Sequence, residues 1–345
     1  MKWPKKLDAI LLFNLNFKDV NLSYFTNVDK GYTFLYLRKN KNPVLFCSEL
    51  EYEEVCKTSN TKIIKKFQKD PFDEIKRLLK KDNIKTLGIN KEIVPVNTYL
   101  TLRKRLSLKL VDVSKLLVNQ WIVKKSDDIA KIKTAAEIGD EIFSVLIKNI
   151  GKFKNELEVS MFIESEIKQR ECNLAFPPIV ASGANASMPH YSPKNVKLQD
   201  GFCIIDFGVK YNGYCSDMTR TIYLGKPNAK EIGLYNQLLK IQKDAILLSQ
   251  PKNKVKHLDS FARTQLKGYK KYFIHSLGHG LGREVHEPPY ISPSSKEVLK
   301  DGMVITIEPG IYIPEKFGIR IEDDIIVKST PEVITKSNKE LIVIK

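Results

Sequence analysis

The sequence predicts two domains, an α/β domain over residues 1–120 and an α+β domain over residues 121–345. Three observations lead there. A chain of 345 residues with 42% hydrophobic content is long enough for two cores and ordinary in composition for a folded globular protein. Up to residue 118, short apolar runs alternate with polar helical patterns, which suggests helices layered on a modest sheet. Beyond Trp121 the pattern changes to long helical stripes interspersed with carboxylate-bearing strand pairs.

The opening MKWPKKLDAILLFNLNF has a basic head, but Asp8 and Asn14 interrupt its apolar run and no small-residue cleavage site follows. It reads as a first strand, not a secretory signal. Further strands are expected at 34–37, 44–47, 86–89 and 110–113. Asp70 followed by Pro71 suits the cap and first position of a helix over 70–81. The acidic cluster 49–54 reads as a solvated helix start. Ser126, Asp127 and Asp128 open a helix whose stripe is Ile129, Ile132, Ala136, Ile142, Leu146 and Ile150, with Gly151 as its stop. Helical patterns recur at 155–170, 229–249 and 255–269, and strands are expected at 202–209, 214–224, 303–308 and 318–327. There is no internal repeat and no low-complexity segment.

Composition narrows the functional classes. No stretch approaches the roughly 20 apolar residues of a membrane-spanning helix. Five widely spaced cysteines without a CxxC suggest neither a disulfide framework nor a zinc knuckle, and point to reduced thiols in the cytoplasm. The formal charge of +17 raises nucleic-acid binding, but only nine of the 57 basic residues are Arg. The Lys residues are scattered and no basic run is interleaved with aromatics, so a solvated surface is the better account and no nucleic-acid partner is expected.

Chemistry concentrates in four segments of the second half: 181–191 (ASGANASMPHY), 205–221 (IDFGVKYNGYCSDMTRT), 273–288 (FIHSLGHGLGREVHEP) and 304–323 (VITIEPGIYIPEKFGIRIED). Four of the five histidines fall inside them. Asn212-Gly213 is a strong two-residue hairpin signal. If that turn forms, Tyr211 faces Tyr214 and Asp206 faces Thr219. Asp206 and Asp217 then share one face as diagonal neighbours, with Cβ atoms roughly 7 Å apart. Two solvated turn carboxylates are one reading of the pair. The apolar flanks argue instead for burial, where close carboxylates repel unless a cation lies between them. Glu308 and Glu322 sit at the ends of apolar runs, and a buried Glu must be paired or metal-bound. An ion pair with Arg320 and a metal are both open for Glu322. His279 is flanked by Gly278 and Gly280, which let the backbone approach closely and leave the imidazole unobstructed. His190 stands in Met-Pro-His-Tyr and His286 in Val-His-Glu-Pro. The GxGxG appearance around His279 lacks the strand, helix and acid of a dinucleotide site, and there is no HExxH.

With these residues laid out, the chain resembles the metallopeptidase superfamily of prolidase (Xaa-Pro dipeptidase), Xaa-Pro aminopeptidase and methionine aminopeptidase. Asp206, Asp217, His279, Glu308 and Glu322 stand at the five ligand positions in order, and His190 and His286 at the two substrate-side histidines. The resemblance implies the pita-bread fold for residues 121–345 and a creatinase-type N-terminal domain for residues 1–120. It also implies a site holding two divalent metal ions, with Asp206 on one, His279 and Glu308 on the other, and Asp217 and Glu322 bridging. Such an oxygen-rich set suits Mn, Co, Fe or Zn. By the same resemblance Glu308 is the proton shuttle, His190 and His286 hold the substrate carbonyl and the oxyanion, and Arg320, Thr219 and Thr306 orient the ligands.

The resemblance further implies an X-Pro dipeptide or short peptide as substrate and a homodimer in the cytoplasm. Many prolidase-like members carry an Arg shortly after the HExP segment; here HEPP is followed by Tyr290. Cleavage of X-Pro dipeptides is the leading expectation, with Xaa-Pro aminopeptidase action on longer peptides as its alternative. An inactive peptidase-like binding module and a metal-free C–N hydrolase similar to creatinase compete from other classes. The complete ligand set speaks against both.

Overall fold

A computed structural model describes residues 3–68 and 70–345. It divides into two compact units between Trp121 and Ile122. The first holds strands β1 (Ala9–Asn14), β2 (Thr33–Arg38), β3 (Val44–Cys47), β4 (Ile63–Lys66), β5 (Thr86–Ile89) and β6 (Lys109–Asp112), with helices α1 (Val20–Thr26), α2 (Tyr52–Thr58), α3 (Pro71–Lys81), α4 (Val96–Leu106) and α5 (Ser114–Val118). The strands form one mixed sheet in the order β4-β3-β2-β1-β5-β6. β1 is buried along its whole length, and its side chains alternate between two cores. Ile10 and Leu12 pack with Leu35, Leu45 and Val113, while Leu11 and Phe13 pack with Phe34, Phe46 and Ile75. An unbroken apolar run of this kind is what a strand covered on both faces requires. Asp70 caps α3 by accepting from the Phe72 N–H, as its sequence predicts. β4, with the sequence IIKK, gives no apolar alternation to read; its two lysines are exposed.

The second unit opens with α6 (Ser126–Asn149) and α7 (Glu156–Gln169), followed by β7 (Asn173–Leu174), β8 (Ile179–Ser182), β9 (Gly201–Phe207), β10 (Val209–Tyr211), β11 (Tyr214–Cys215) and β12 (Met218–Leu224). Helices α8 (Ala229–Leu248) and α9 (Val255–Gln265) come next. The chain ends with β13 (Gly278–Gly280), β14 (Glu287–Ile291), β15 (Val304–Ile307), β16 (Gly310–Ile313), β17 (Phe317–Arg320), β18 (Asp323–Ile326), β19 (Glu332–Val333) and β20 (Val343–Ile344). Two sheets matter for the site, β20-β12-β9-β8 and β14-β13-β15-β18-β19. The predicted hairpin register holds: Tyr211 faces Tyr214 and Asp206 faces Thr219. The α6 stripe packs Ile142 and Leu146 with Val159 and Ile163 of α7 onto Ile205, Phe207 and Ile222 of the first sheet.

Three expected strands are subdivided, among them 214–224, which breaks at Ser216 and Asp217 between β11 and β12. The run 202–209 breaks at Gly208 between β9 and β10. The run 318–327 breaks at Ile321 and Glu322, so that β17 pairs with β16 while β18 pairs with β15 in the larger sheet. That break puts Glu322 between two sheets. No helix among the described residues is long and apolar enough to cross a membrane.

Ile205 is fully buried next to Asp206. Ile205→Ala is expected to destabilise the second unit by about 2–5 kcal/mol, the range for deleting such a core side chain. Urea unfolding followed by circular dichroism measures it, and a loss below that range would mean the sheet–helix core relaxes into the space.

Candidate active site

The two strand pairs converge at their ends. Asp206 lies on β9 and Asp217 just before β12, whereas Glu308 follows β15 and Glu322 precedes β18. Three groups can each bring one ligand atom within 4.8 Å of the others: Asp206, Asp217 and Glu322; His279, Glu308 and Glu322; Asp217, His279 and His286. Asp217, His279 and Glu322 each belong to two of them. His279 lies on the short strand β13, in contact with both sheet neighbours because its flanking glycines have no Cβ. A Cβ on Gly278 would come 2.1 Å from the Thr306 carbonyl oxygen, and one on Gly280 would come 2.2 Å from that of Pro288.

The imidazole of His279 is oriented for ligation. Its Nδ1 faces the Gly280 carbonyl at 3.1 Å, which favours a proton there; burial works to lower the ring's pKa, but the hydrogen bond and charge of Glu308 raise it, so a cation at the site would take the place of the Nε2 proton. Nε2 points to Glu308 Oε1 at 3.2 Å and Asp217 Oδ2 at 3.7 Å. Backbone and hydroxyl bonds hold it: the His279 N–H donates to Thr306 Oγ1 (3.1 Å), and that hydroxyl donates to Glu308 Oε1 (3.4 Å).

Arg320 organises the opposite side. Its Nη2 pairs with Asp206 Oδ2, Nε donates to Thr219 Oγ1 (3.0 Å), and Nη1 donates to the Tyr312 hydroxyl (2.7 Å) and the Pro189 carbonyl (3.3 Å). Thr219 passes the interaction on, donating to Glu322 Oε2 at 2.7 Å. Arg320 therefore reaches Glu322 through Thr219 and takes Asp206 as its ion-pair partner; the direct pair with Glu322 open at the sequence level is not formed. The backbone of Glu322 is fixed separately. Its N–H donates to the Thr219 carbonyl (3.2 Å), and its own carbonyl accepts from Arg220, which also pairs with Asp323 (2.8 Å) and donates to the Ser337 carbonyl (2.9 Å). Lys339 closes on the other oxygen of Asp323.

Electrostatics decide what this cluster can hold. Burial, then the charges of Glu322 and Asp206, pushes the Asp217 carboxyl well above the usual carboxylate range. Burial, then Glu308 and Asp206, does the same to Glu322. Burial also raises Asp206, against the pull of Arg320. Glu308 differs: burial would raise it, but the hydrogen bond and charge of His279 prevail and hold it at about 2. Asp206 Oδ1 and Glu322 Oε1 are buried with no hydrogen-bond partner in the protein. Crowded carboxylates with unused oxygens and a histidine Nε2 aimed among them fit hard divalent cations.

The cluster opens into a cavity of about 620 Å³ whose wall includes Phe176, Pro178, Tyr191, His190, His286 and Tyr290. His190 and His286 are the exposed histidines of the wall, and the rings of His286 and His279 meet edge to face at 4.3 Å. Partial burial, then the charge of His279, lowers the pKa of His286.

Several supporting residues escaped sequence reasoning. His275 bonds through Nε2 to the Tyr312 hydroxyl (3.0 Å) and through Nδ1 to the Ser276 carbonyl (2.8 Å), and lies 3.9 Å from Glu308 Oε2. The chain Arg320–Tyr312–His275 thus ends beside Glu308. Its sequence signal was its place four residues before His279. Glu287, next to His286, forms a buried ion pair with Lys124, both side chains being under 5% exposed. Nothing local marks that partner, 163 residues away.

The metallopeptidase family M24 model matches residues 130–329, and the creatinase/prolidase N-terminal domain model matches residues 4–120. The chain belongs to metallopeptidase family M24. Membership implies a divalent metal cofactor, in keeping with the ligand-rich cluster. A protein named Xaa-Pro dipeptidase from Pyrococcus furiosus is 38% identical over 306 residues, 86% of this chain and 85% of its own. The prolidase structure from Pyrococcus horikoshii superposes with a TM-score of 0.88 at 35% identity, covering 97% of this chain and 96% of that one. The X-Pro aminopeptidase structure from Thermotoga maritima gives 0.91 at 29% identity, covering 98% of both. These matches bear out the pita-bread catalytic fold and the creatinase-type N-terminal domain.

Two outcomes follow from the electrostatics. Manganese at 100 times its Kd should raise the stability of metal-free protein by about 2.7 kcal/mol. Asp217→Asn should remove that increment while raising the melting temperature of the metal-free form, because one of the crowded carboxylates is gone; scanning calorimetry reading a lower metal-free Tm would refute the repulsion account. Lys124→Met should cost about 3–5 kcal/mol by stranding buried Glu287, and Lys124→Met/Glu287→Leu should recover much of it. Equal losses in the single and double variants would show that the charge pairing is not what matters there.

Proposed function

We propose that this chain is an Xaa-Pro dipeptidase, a cytoplasmic homodimer using two divalent ions, Mn, Co, Fe or Zn, per chain. The observation that carries the reading is the overlap of the ligand groups, Glu322 joining Asp206 and Asp217 to His279 and Glu308 while Asp217 also groups with His279 and His286, beside a cavity walled by His190 and His286. Asp206 is assigned to one ion, His279 and Glu308 to the other, and Asp217 and Glu322 to both. Divalent ions held there supply Lewis acidity that activates water and polarises the scissile carbonyl. The free cysteines, four of them buried, support a reducing compartment. The homodimer rests on family resemblance.

The protein's own groups perform the remaining steps. Glu308 takes the proton of the attacking water and delivers it to the leaving prolyl nitrogen. His275 beside Oε2 and Thr306 beside Oε1 keep that carboxylate in place during transfer. His190 and His286 project from the cavity wall and hold the substrate carbonyl oxygen as it gains negative charge. Arg320 and Thr219 hold Asp206 and Glu322 and stay out of the proton path.

Tyr290 favours a second reading, the Xaa-Pro aminopeptidase. Among the described residues lining the cavity, Arg320 is the one Lys or Arg, and its hydrogen bonds go to protein groups. A charged grip on a dipeptide carboxylate is therefore not built into this wall. The deciding measurement is kcat/KM for Ala-Pro against Ala-Pro-Ala with manganese: the dipeptide is expected to be the better substrate, and faster cleavage of the tripeptide would make the enzyme an aminopeptidase. In the same assay His190→Ala and His286→Ala should each lower kcat by about 10²–10³-fold while keeping their metal. Loss of metal in either variant would reassign that histidine to the ligand set.

A further inference from the structure

Glu156 is completely buried in the first turn of α7, outside the ligand cluster and without a role in the chemistry above. Its Oε1 accepts three hydrogen bonds from neutral donors: the Ser182 N–H (2.8 Å), the Ser182 hydroxyl (2.8 Å) and the Asn185 amide (3.1 Å). Burying a carboxylate away from a cation is costly unless such dipoles converge on it, so the arrangement marks a position with a specific task. All three donors come from one stretch, the end of β8 and the 3-10 turn Gly183–Ser187 that follows it. The Asn185 amide also donates to the Tyr191 hydroxyl at 3.1 Å. Burial, then the Glu156 carboxylate, pushes that hydroxyl's pKa upward, which places the two groups in one electrostatic unit.

His190 lies between this unit and the metal-ligand network. On its N-terminal side, the Pro189 carbonyl accepts from Arg320. On its C-terminal side, Tyr191 is tied through Asn185 to Glu156. The 3-10 turn that leads into this segment has little freedom: β17 packs against it so closely that a Cβ on Gly318 would stand 1.9 Å from the Ala186 carbonyl oxygen. His190 itself is exposed and lines the cavity, and its imidazole makes no hydrogen bond to the described residues. Its placement depends on the backbone at Pro189 and Tyr191.

We propose that Glu156 is the positioning residue for His190, holding the 182–191 segment so that the imidazole faces the scissile carbonyl. The proposal rests on the reading of His190 as a substrate-side group. It accounts for a buried carboxylate that touches neither cavity nor ligands. Glutamine at this position keeps the volume but replaces one acceptor oxygen with an NH₂ donor and removes the charge on which the donors converge.

The test is a double-mutant cycle on manganese-loaded enzyme with Ala-Pro, reading kcat, KM and bound metal for wild type, Glu156→Gln, His190→Ala and the double variant. Glu156→Gln is expected to lower kcat roughly 10- to 100-fold, the cost of misplacing a catalytic group by a fraction of an ångström to an ångström, with KM and metal content unchanged. In the His190→Ala background the same change should lower kcat less than about twofold, because nothing is left to position. Multiplicative losses in the double variant would overturn the proposal and make Glu156 a support of the fold at large. A His190→Ala variant with wild-type kcat would overturn it from the other side, by removing the role of His190 itself. If Glu156→Gln does not fold, the cycle is run with Tyr191→Phe, which removes the hydroxyl that ties Tyr191 to Asn185 and Glu156; its loss of kcat should likewise vanish beside His190→Ala, and persistence of that loss decides against the proposal.

Discussion

Four carboxylates and one imidazole share a small, largely buried volume at the floor of the cavity, and that crowding is the constraint on which the rest depends. Asp206, Asp217 and Glu322 have carboxyl pKa values driven upward by burial and by one another, while Glu308 alone is held down by His279. Such an assembly is tolerable with cations in it and strained without them. The surrounding structure can be understood as what is needed to hold these groups together against their repulsion. Backbone donors, threonine hydroxyls and two buried guanidiniums, Arg220 and Arg320, fix nearly every ligand from a second direction.

The parts visible in the sequence were those encoded locally. Asn212-Gly213 determines a turn, the turn sets a register, and the register puts Asp206 opposite Thr219, so this half of the site could be built from seventeen consecutive residues. The same held for the cap at Asp70 and the stripe of α6. The glycines around His279 announced a close backbone approach, and the Thr306 and Pro288 carbonyls are what approaches. Each of these inferences used chemistry within a few turns or one hairpin.

What was illegible is contact over long separations. Asp206 and Arg320 are 114 residues apart, Lys124 and Glu287 163 apart, and no residue type or spacing announces either pairing. For the same reason the choice between an Arg320 ion pair and a metal for Glu322 could not be settled from its neighbourhood: Arg320 is two residues away in sequence, yet the chain breaks between β17 and β18 and sends the guanidinium to Asp206. His275 lay in plain view inside a segment already marked, but its value comes from Tyr312 and Glu308, which belong to other strands.

The anchoring of Glu322 and Asp323 also makes the carboxylate cluster depend on residues well outside it. Arg220 holds the Glu322 carbonyl while bonded to Ser337, Asp323 is closed by Thr335 and Lys339, and β20 joins β12 at Val343 and Ile344. Loosening of the segment 335–344 would therefore release the backbone beneath Glu322 while leaving every side chain of the cluster unchanged. A change there acts on the site from behind, without touching the cavity.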